Sequence, residues 1–137
     1  MTATTTAGAD AVWRLLGEAE RWPEWDAAVE RVSGTITAGS RLTAHLRAGR
    51  ALRLRVLEVE PGRAVVDRQR LPLARVTVRR SVEAAAAGST IAVAVRFTGL
   101  LGRLWWRLTG ARVREGLTAQ ARALATAAER DRGNLAI

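Results

Sequence analysis

Cysteine, lysine and tyrosine are all missing from this chain of 137 residues. Without thiols, disulfides and thiolate zinc sites are excluded, and a reducing compartment such as the cytoplasm is permitted. A single histidine is too few for the usual tetrahedral metal sites, so no metal and no cofactor is expected. Glycine-rich phosphate loops, serine-centred nucleophile elbows and paired-carboxylate motifs are missing too, which leaves no strong catalytic signature. No apolar run approaches the roughly 18 residues of a transmembrane helix. Met1 to Asp10 has neither the basic region nor the apolar stretch of a secretory signal. With no linker or internal repeat, the expectation is one cytoplasmic domain over residues 1–137.

What is present is apolar side chains and arginine. Apolar residues make up 48% of the chain, and a mean hydropathy of -0.02 fits a folded domain rather than a disordered tail. The net charge is +9, and all 22 basic residues are arginine. Residues 1–60 are balanced, with eight arginines and eight acids; residues 61–137 carry fourteen arginines against five acids. The excess is densest between Arg96 and Arg114, where five arginines occur without an acid. Coding preference for arginine explains it most simply. A nucleic-acid partner would need phosphate-neutralising stripes, but no helix-turn-helix, ribonucleoprotein motif or aromatic interleaving accompanies the charge.

The period of the apolar positions changes along the chain. Asp10 is placed to cap a helix carrying Val12, Trp13, Leu15 and Leu16, with Gly17 as its stop. Glu18 to Trp25 contains Pro23 and fits one or two further turns. Alternation then takes over in Arg41–Arg47, Leu52–Val56, Ala64–Gln69, Val76–Val82 and Ile91–Phe97, with turn signals at Pro61-Gly62 and Gly88-Ser89. Each segment has one apolar and one polar face, the pattern of an antiparallel sheet covered on one side. Arg53, Arg55, Arg79 and Arg80 read as its wet face. The cover is a long amphipathic helix, whose Val113, Leu117, Ala121, Leu124 and Ala128 are spaced by 4, 4, 3 and 4. The predicted class is α+β: two short helices, six to seven strands and one long helix across a curved sheet. Such an arrangement leaves room for a small ligand between sheet and helix.

Several stretches resemble a known family. Ala11-Val12-Trp13-Arg14-Leu15-Leu16 with Arg21-Trp22-Pro23-Glu24-Trp25-Asp26 resembles the opening of the START-like (SRPBCC, Bet v 1-like) superfamily, in its bacterial polyketide cyclase/dehydrase and lipid-transport branch. Val56 to Gly62, Gly88-Ser89-Thr90 and Gly99 to Arg114 resemble a strand ending, the last hairpin and the approach to the final helix. The resemblance implies a helix-grip fold with a deep apolar cavity. It implies a carrier of a lipid or aromatic polyketide-like molecule or, alternatively, a polyketide cyclase, aromatase or dehydratase using the same cavity. The tyrosines that assist such cyclases have no counterpart here.

Candidate ligand-binding residues are Trp13, Trp22, Val56, Val78, Val93, Val95, Leu104, Val113 and Leu117. The indole of Trp22 either stacks on a ligand or, like that of Trp25, plugs the core. For acid–base chemistry there are two weak candidates. His45 is the chain's one histidine, the residue type most often used for acid–base work, but it alternates with Thr43 and Arg47 on a polar face. Asp67 either faces inward with a raised pKa or sits in a solvated ion pair with Arg68 and Arg70. Finally, Leu101, Leu104, Trp105 and Leu108 form a helical face opposite the Val113–Leu117–Leu124 stripe. The favoured reading is a helix broken at Thr109-Gly110, with the first part folded over the cavity mouth. An unbroken helix would instead present an arginine-edged apolar patch for transient contact with a membrane surface.

Overall fold

The computed structural model describes residues 1–135, with side chains described to Asp131. Seven strands form one antiparallel sheet: β1 (Thr2–Thr5), β2 (Val29–Ser33), β3 (Arg41–Leu46), β4 (Ala51–Glu60), β5 (Ala64–Leu71), β6 (Ala74–Ala85) and β7 (Gly88–Thr98). Their order is β1-β7-β6-β5-β4-β3-β2, so six consecutive strands from β2 to β7 pair in turn, each antiparallel to the next, and β1 extends the β7 edge. Helix α1 (Ala9–Gly17) and a 3₁₀ helix (Ala19–Glu24) lie between β1 and β2, and helix α2 (Gly102–Leu135) closes the chain. This is the predicted α+β helix-grip arrangement. The two edge strands, Thr2–Thr5 and Val29–Ser33, are too short and too polar to show an alternating pattern in sequence.

Local chemistry differs from expectation at the start of α1 and within α2, while α1 ends at Gly17 as expected. Gly8, not Asp10, is the N-cap of α1, and Asp10 lies in the first turn, where its charge faces the positive helix end. Gly17 is the last residue of α1, and it is small for a packing reason: an added Cβ would lie 2.9 Å from the Trp13 indole. Most consequential, α2 does not break. Thr109 returns its hydroxyl to the Trp105 carbonyl at 2.7 Å, and a Cβ on Gly110 would lie 2.8 Å from the Trp106 ring. Gly110 is thus a seat for an indole rather than a hinge, and the helix runs on through both residues.

The core fills the concave side of the sheet. Val12, Leu15 and Leu16 of α1, Leu42, Val56, Val65, Val82 and Ile91 of the sheet, and Leu124 and Ala128 of α2 are wholly or almost wholly buried. Both buried indoles are tied to α1: Trp22 Nε1 donates to Leu16 O and Trp25 Nε1 to Leu15 O, each at 3.0 Å. The C-terminal half of α2 is fastened at its end. Thr5 Oγ1 lies 3.1 Å from Ala125 O, and Arg21 bridges Glu24 and Asp131. Burial of aliphatic side chains at this end, worth about 1.5–3 kcal/mol each, anchors the helix to the sheet.

Candidate functional site

At the other end, sheet and helix do not close. Between the inner faces of β3–β7 and α2 lies a cavity of about 450 Å³. Its apolar wall includes Leu54, Leu71, Val76, Val78, Phe97, Val113 and Leu117, with Trp22 and Trp105 as aromatic surfaces. Arg50, Arg112 and Ala28 are its exposed lining residues and mark the mouth. A larger hollow of about 790 Å³ follows the outside of α2 along Trp106, Arg114 and Arg122, but it is an open groove against solvent.

The floor carries a connected polar chain, and Gln69 and Thr109 add further polar groups to the lining. Arg80, 6% exposed, donates from Nη1 to Asp67 Oδ2 at 2.6 Å, and from Nε and Nη2 to Gln120 Oε1 at 3.2 and 3.0 Å. Gln120 Nε2 passes the chain on to Asp26 Oδ2 at 3.0 Å. The Arg80 guanidinium carbon lies 5.5 Å from the Trp22 ring centroid and 5.9 Å from that of Trp25, while the two rings are 5.4 Å apart. Among the described residues no buried side-chain nitrogen or oxygen lacks a partner, as the cost of burying polar groups demands. Burial pushes the Asp67 carboxyl above its ordinary range, and the Arg80 charge and hydrogen bond pull it part of the way back. Burial also raises Asp26, against the Ala28 amide and the Arg80 charge.

Of the sequence candidates, Trp22, Val78, Val113 and Leu117 line the cavity. Five do not. Trp13 lies half-buried against Gly17 on α1, and Val56 is wholly buried in the core. Val93 is a core residue and Val95 is half-buried, both beneath Trp106 and Arg114 where α2 crosses β7. Leu104 is 48% exposed. Nine residues at about 100° each place it half a turn away from Val113, so an unbroken helix cannot bring both into one chamber.

The two acid–base candidates separate. Asp67 is 2% exposed and faces the cavity, paired with Arg80 rather than with Arg68 or Arg70. His45 is on the outer face, where its Nε2 is 3.5 Å from Ser33 Oγ. Arg80 corrects the wet-face reading: it shares strand parity with Val76, Val78 and Val82 and therefore points inward. That parity was the available signal for it. Gln120 had one as well, seven residues after Val113 on the same helix face. Asp26 had none.

The remaining arginines on alternate sheet positions do face outward. Arg41, Arg55 and Arg68 sit directly opposite one another on three adjacent strands, and Arg70 opposes Arg75. None of these five is in an ion pair among the described residues, and no aromatic ring is stacked among them. Nor can any group of three His, Asp or Glu side chains among the described residues hold a metal ion.

Residues 1–129 match the family described as polyketide cyclase / dehydrase and lipid transport, and the chain belongs to that family. Its fold is shared with protein MLL2253 from Mesorhizobium loti, with a TM-score of 0.78, 18% identity and 95% of each chain covered. Protein NE0264 from Nitrosomonas europaea aligns with a TM-score of 0.76 and 13% identity, covering 97% of this chain and 94% of that one. The di-domain ARO/CYC BexL from the BE-7585A biosynthetic pathway aligns with a TM-score of 0.72 and 22% identity, over 94% of this chain and 45% of BexL. No curated protein matches the chain.

Proposed function

We propose that the protein binds a small, mostly apolar molecule, a lipid or an aromatic polyketide-like compound, in the chamber between sheet and α2. The observation that carries this reading is the chamber itself: about 450 Å³ of space bounded by aliphatic and indole surfaces over a polar floor. Cavities of a few hundred Å³ with apolar walls and a few convergent polar groups are the usual form of small-molecule sites. Displacing water from such walls at about 25 cal/mol per Å² supplies affinity, and the Arg80–Gln120–Asp26 chain supplies orientation. A flat ligand lies against Trp22, whose other neighbour is the Arg80 guanidinium.

The second reading is a polyketide cyclase, aromatase or dehydratase working in the same space. It is favoured by Asp67 and Arg80 facing the chamber and by family membership. Here Arg80 holds an oxyanion as it forms and Asp67 keeps the guanidinium in place.

Native mass spectrometry of gently purified protein tests the first reading, together with uptake of the neutral dye N-phenyl-1-naphthylamine by solvent-extracted protein. A hydrophobic adduct and saturable dye uptake are expected, with uptake lost in Val113→Trp, which fills the chamber. Neither adduct nor uptake, or full uptake by the filled variant, would overturn the reading.

A further inference from the structure

The continuity of α2 leaves a surface that the core does not use. Leu104 and Leu108 are 48% and 69% exposed, Leu100 just before the helix is 83% exposed, and Leu73 at the β5–β6 hairpin tip is 65% exposed. These are four of the six large hydrophobics that stand in solvent among the described residues. They are gathered at one end of the molecule. The Leu101 amide donates to Leu73 O at 3.0 Å and Trp105 Nε1 to Pro72 O at 2.9 Å, so the hairpin tip is clamped against the start of α2. Trp105 and Leu101, which an unbroken helix is expected to expose together with Leu104 and Leu108, are thereby turned inward: Trp105 lines the chamber and Leu101 is half-buried.

Leu104, Leu108 and Arg112 succeed one another at four-residue intervals, a single row along the helix. Arg112 is itself part of the chamber mouth. The apolar row therefore runs along the lip of the opening. Leu73 is also the one non-glycine residue with a left-handed backbone among the described residues, at φ 57°. An L side chain with a Cβ is disfavoured there, and a leucine more so than the glycine or asparagine that such a turn accepts readily. A bulky apolar side chain is held out at a position that local geometry would give to a smaller one.

Around this lip the charge is of one sign. Arg103, Arg107 and Arg112 on α2, and Arg70 and Arg75 flanking the hairpin tip, are exposed, and none is in an ion pair among the described residues. From Ala84 to Arg114 the chain contains no acidic residue. Leucines in solvent count against a nucleic-acid partner, which would meet charge but not grease. Unpaired arginines beside them count against a second copy of the same surface, which would bring like charges together.

We propose that this lip docks on the surface of an anionic lipid bilayer, with Leu73, Leu100, Leu104 and Leu108 entering the interface and the arginines meeting lipid phosphates. Apolar side chains on one face with a basic rim bind such surfaces by combining insertion with electrostatic attraction. No described helix is long and apolar enough to cross a membrane, and docking needs none. The proposal rests on the chamber reading for its purpose, since a docked mouth lets an apolar ligand pass between bilayer and chamber without crossing water. Docking itself can be measured with the chamber empty.

The test is co-sedimentation with vesicles of phosphatidylcholine alone or with added phosphatidylglycerol, at low and high salt. It is run on the wild type, on Leu104→Ser/Leu108→Ser and on Arg103→Gln/Arg107→Gln, with N-phenyl-1-naphthylamine uptake measured in parallel. The wild type is expected to bind phosphatidylglycerol vesicles, more weakly in high salt, and each double variant to lose roughly tenfold in affinity while keeping dye uptake. Dye uptake without vesicle binding overturns the docking proposal and leaves the chamber reading intact; vesicle binding without dye uptake does the reverse. Unimpaired vesicle binding by the serine variant also overturns the proposal. So does retardation of duplex DNA by a protein that ignores vesicles, which assigns the arginines to nucleic acid.

Discussion

The two halves of α2 are one uninterrupted helix put to opposite uses. From Leu117 onward its apolar residues, Ala121, Leu124 and Ala128 among them, are sealed against sheet and α1, and its end is tied to β1 and to Arg21. Before that point the helix touches β7 through Trp106, whose ring lies 5.4 Å from that of Phe97, and a space opens beside that contact. One side faces a chamber through Trp105, Thr109 and Val113, and another puts Leu104 and Leu108 into solvent. The apolar stripe of the second half seals the helix onto the sheet, while the first half is held at Trp106 and at the β5–β6 hairpin tip and covers the sheet in part. Its own apolar residues go where 100° per residue sends them, whether or not anything is there to cover them.

The comparison breaks most severely at the chamber floor, where the two regimes meet. Arg80→Met leaves Asp67 buried with no cation, and a loss of about 3–5 kcal/mol in chemical denaturation at neutral pH is expected. The sign with pH follows from the Arg80 charge and hydrogen bond, which hold down a carboxyl that burial raises, so that Asp67 is raised further and keeps its proton longer in the folded variant. The unfolded chain releases that proton near the ordinary carboxylate value and the folded one later. The variant's deficit is therefore small in acid and grows as pH rises toward neutrality. Removing both charges in Arg80→Met/Asp67→Leu should recover most of the loss. A deficit that stays constant with pH would mean that Asp67 is not the stranded charge.

Next in size is the contrast between leucines. Leu124→Ala, at a site 1% exposed, should cost about 2–5 kcal/mol. Leu108→Ser, two-thirds exposed on the same helix, should stay within about 0.5 kcal/mol. Equal losses at the two positions would show that the first half of α2 is packed after all. The smallest stability effect is expected from Arg103→Gln/Arg107→Gln, whose consequence belongs to vesicle binding.

Most of the architecture was legible in sequence because its elements are strongly periodic. The alternation of β3 to β7 and the Val113–Ala128 stripe fix a sheet covered on one side by a helix. What was misread came from giving residue type precedence over position. Residue type alone puts Arg80 in water, whereas Val76, Val78 and Val82 fix its parity as inward. Glycine's low helix propensity suggests a break at Gly110, whereas the neighbouring Trp106 needs the room. The wall candidates on β7 failed for a different reason. Alternation shows which face Val93 and Val95 occupy but not whether helix or empty space lies above that face. That depends on where α2 crosses, a long-range fact with no local trace. Asp26 joins the polar chain by accepting a hydrogen bond from Gln120, a residue far along the sequence.

The two indoles that bound the chamber, Trp22 at its floor and Trp105 at its mouth, make the protein its own optical gauge. With no tyrosine in the chain, near-ultraviolet emission comes from tryptophan with almost nothing beneath it. A molecule that travels the full depth changes the surroundings of both rings, and one that lodges at the entrance changes only Trp105. Trp22→Phe and Trp105→Phe, compared during one titration, would therefore report how far in a guest goes before its chemical identity is known.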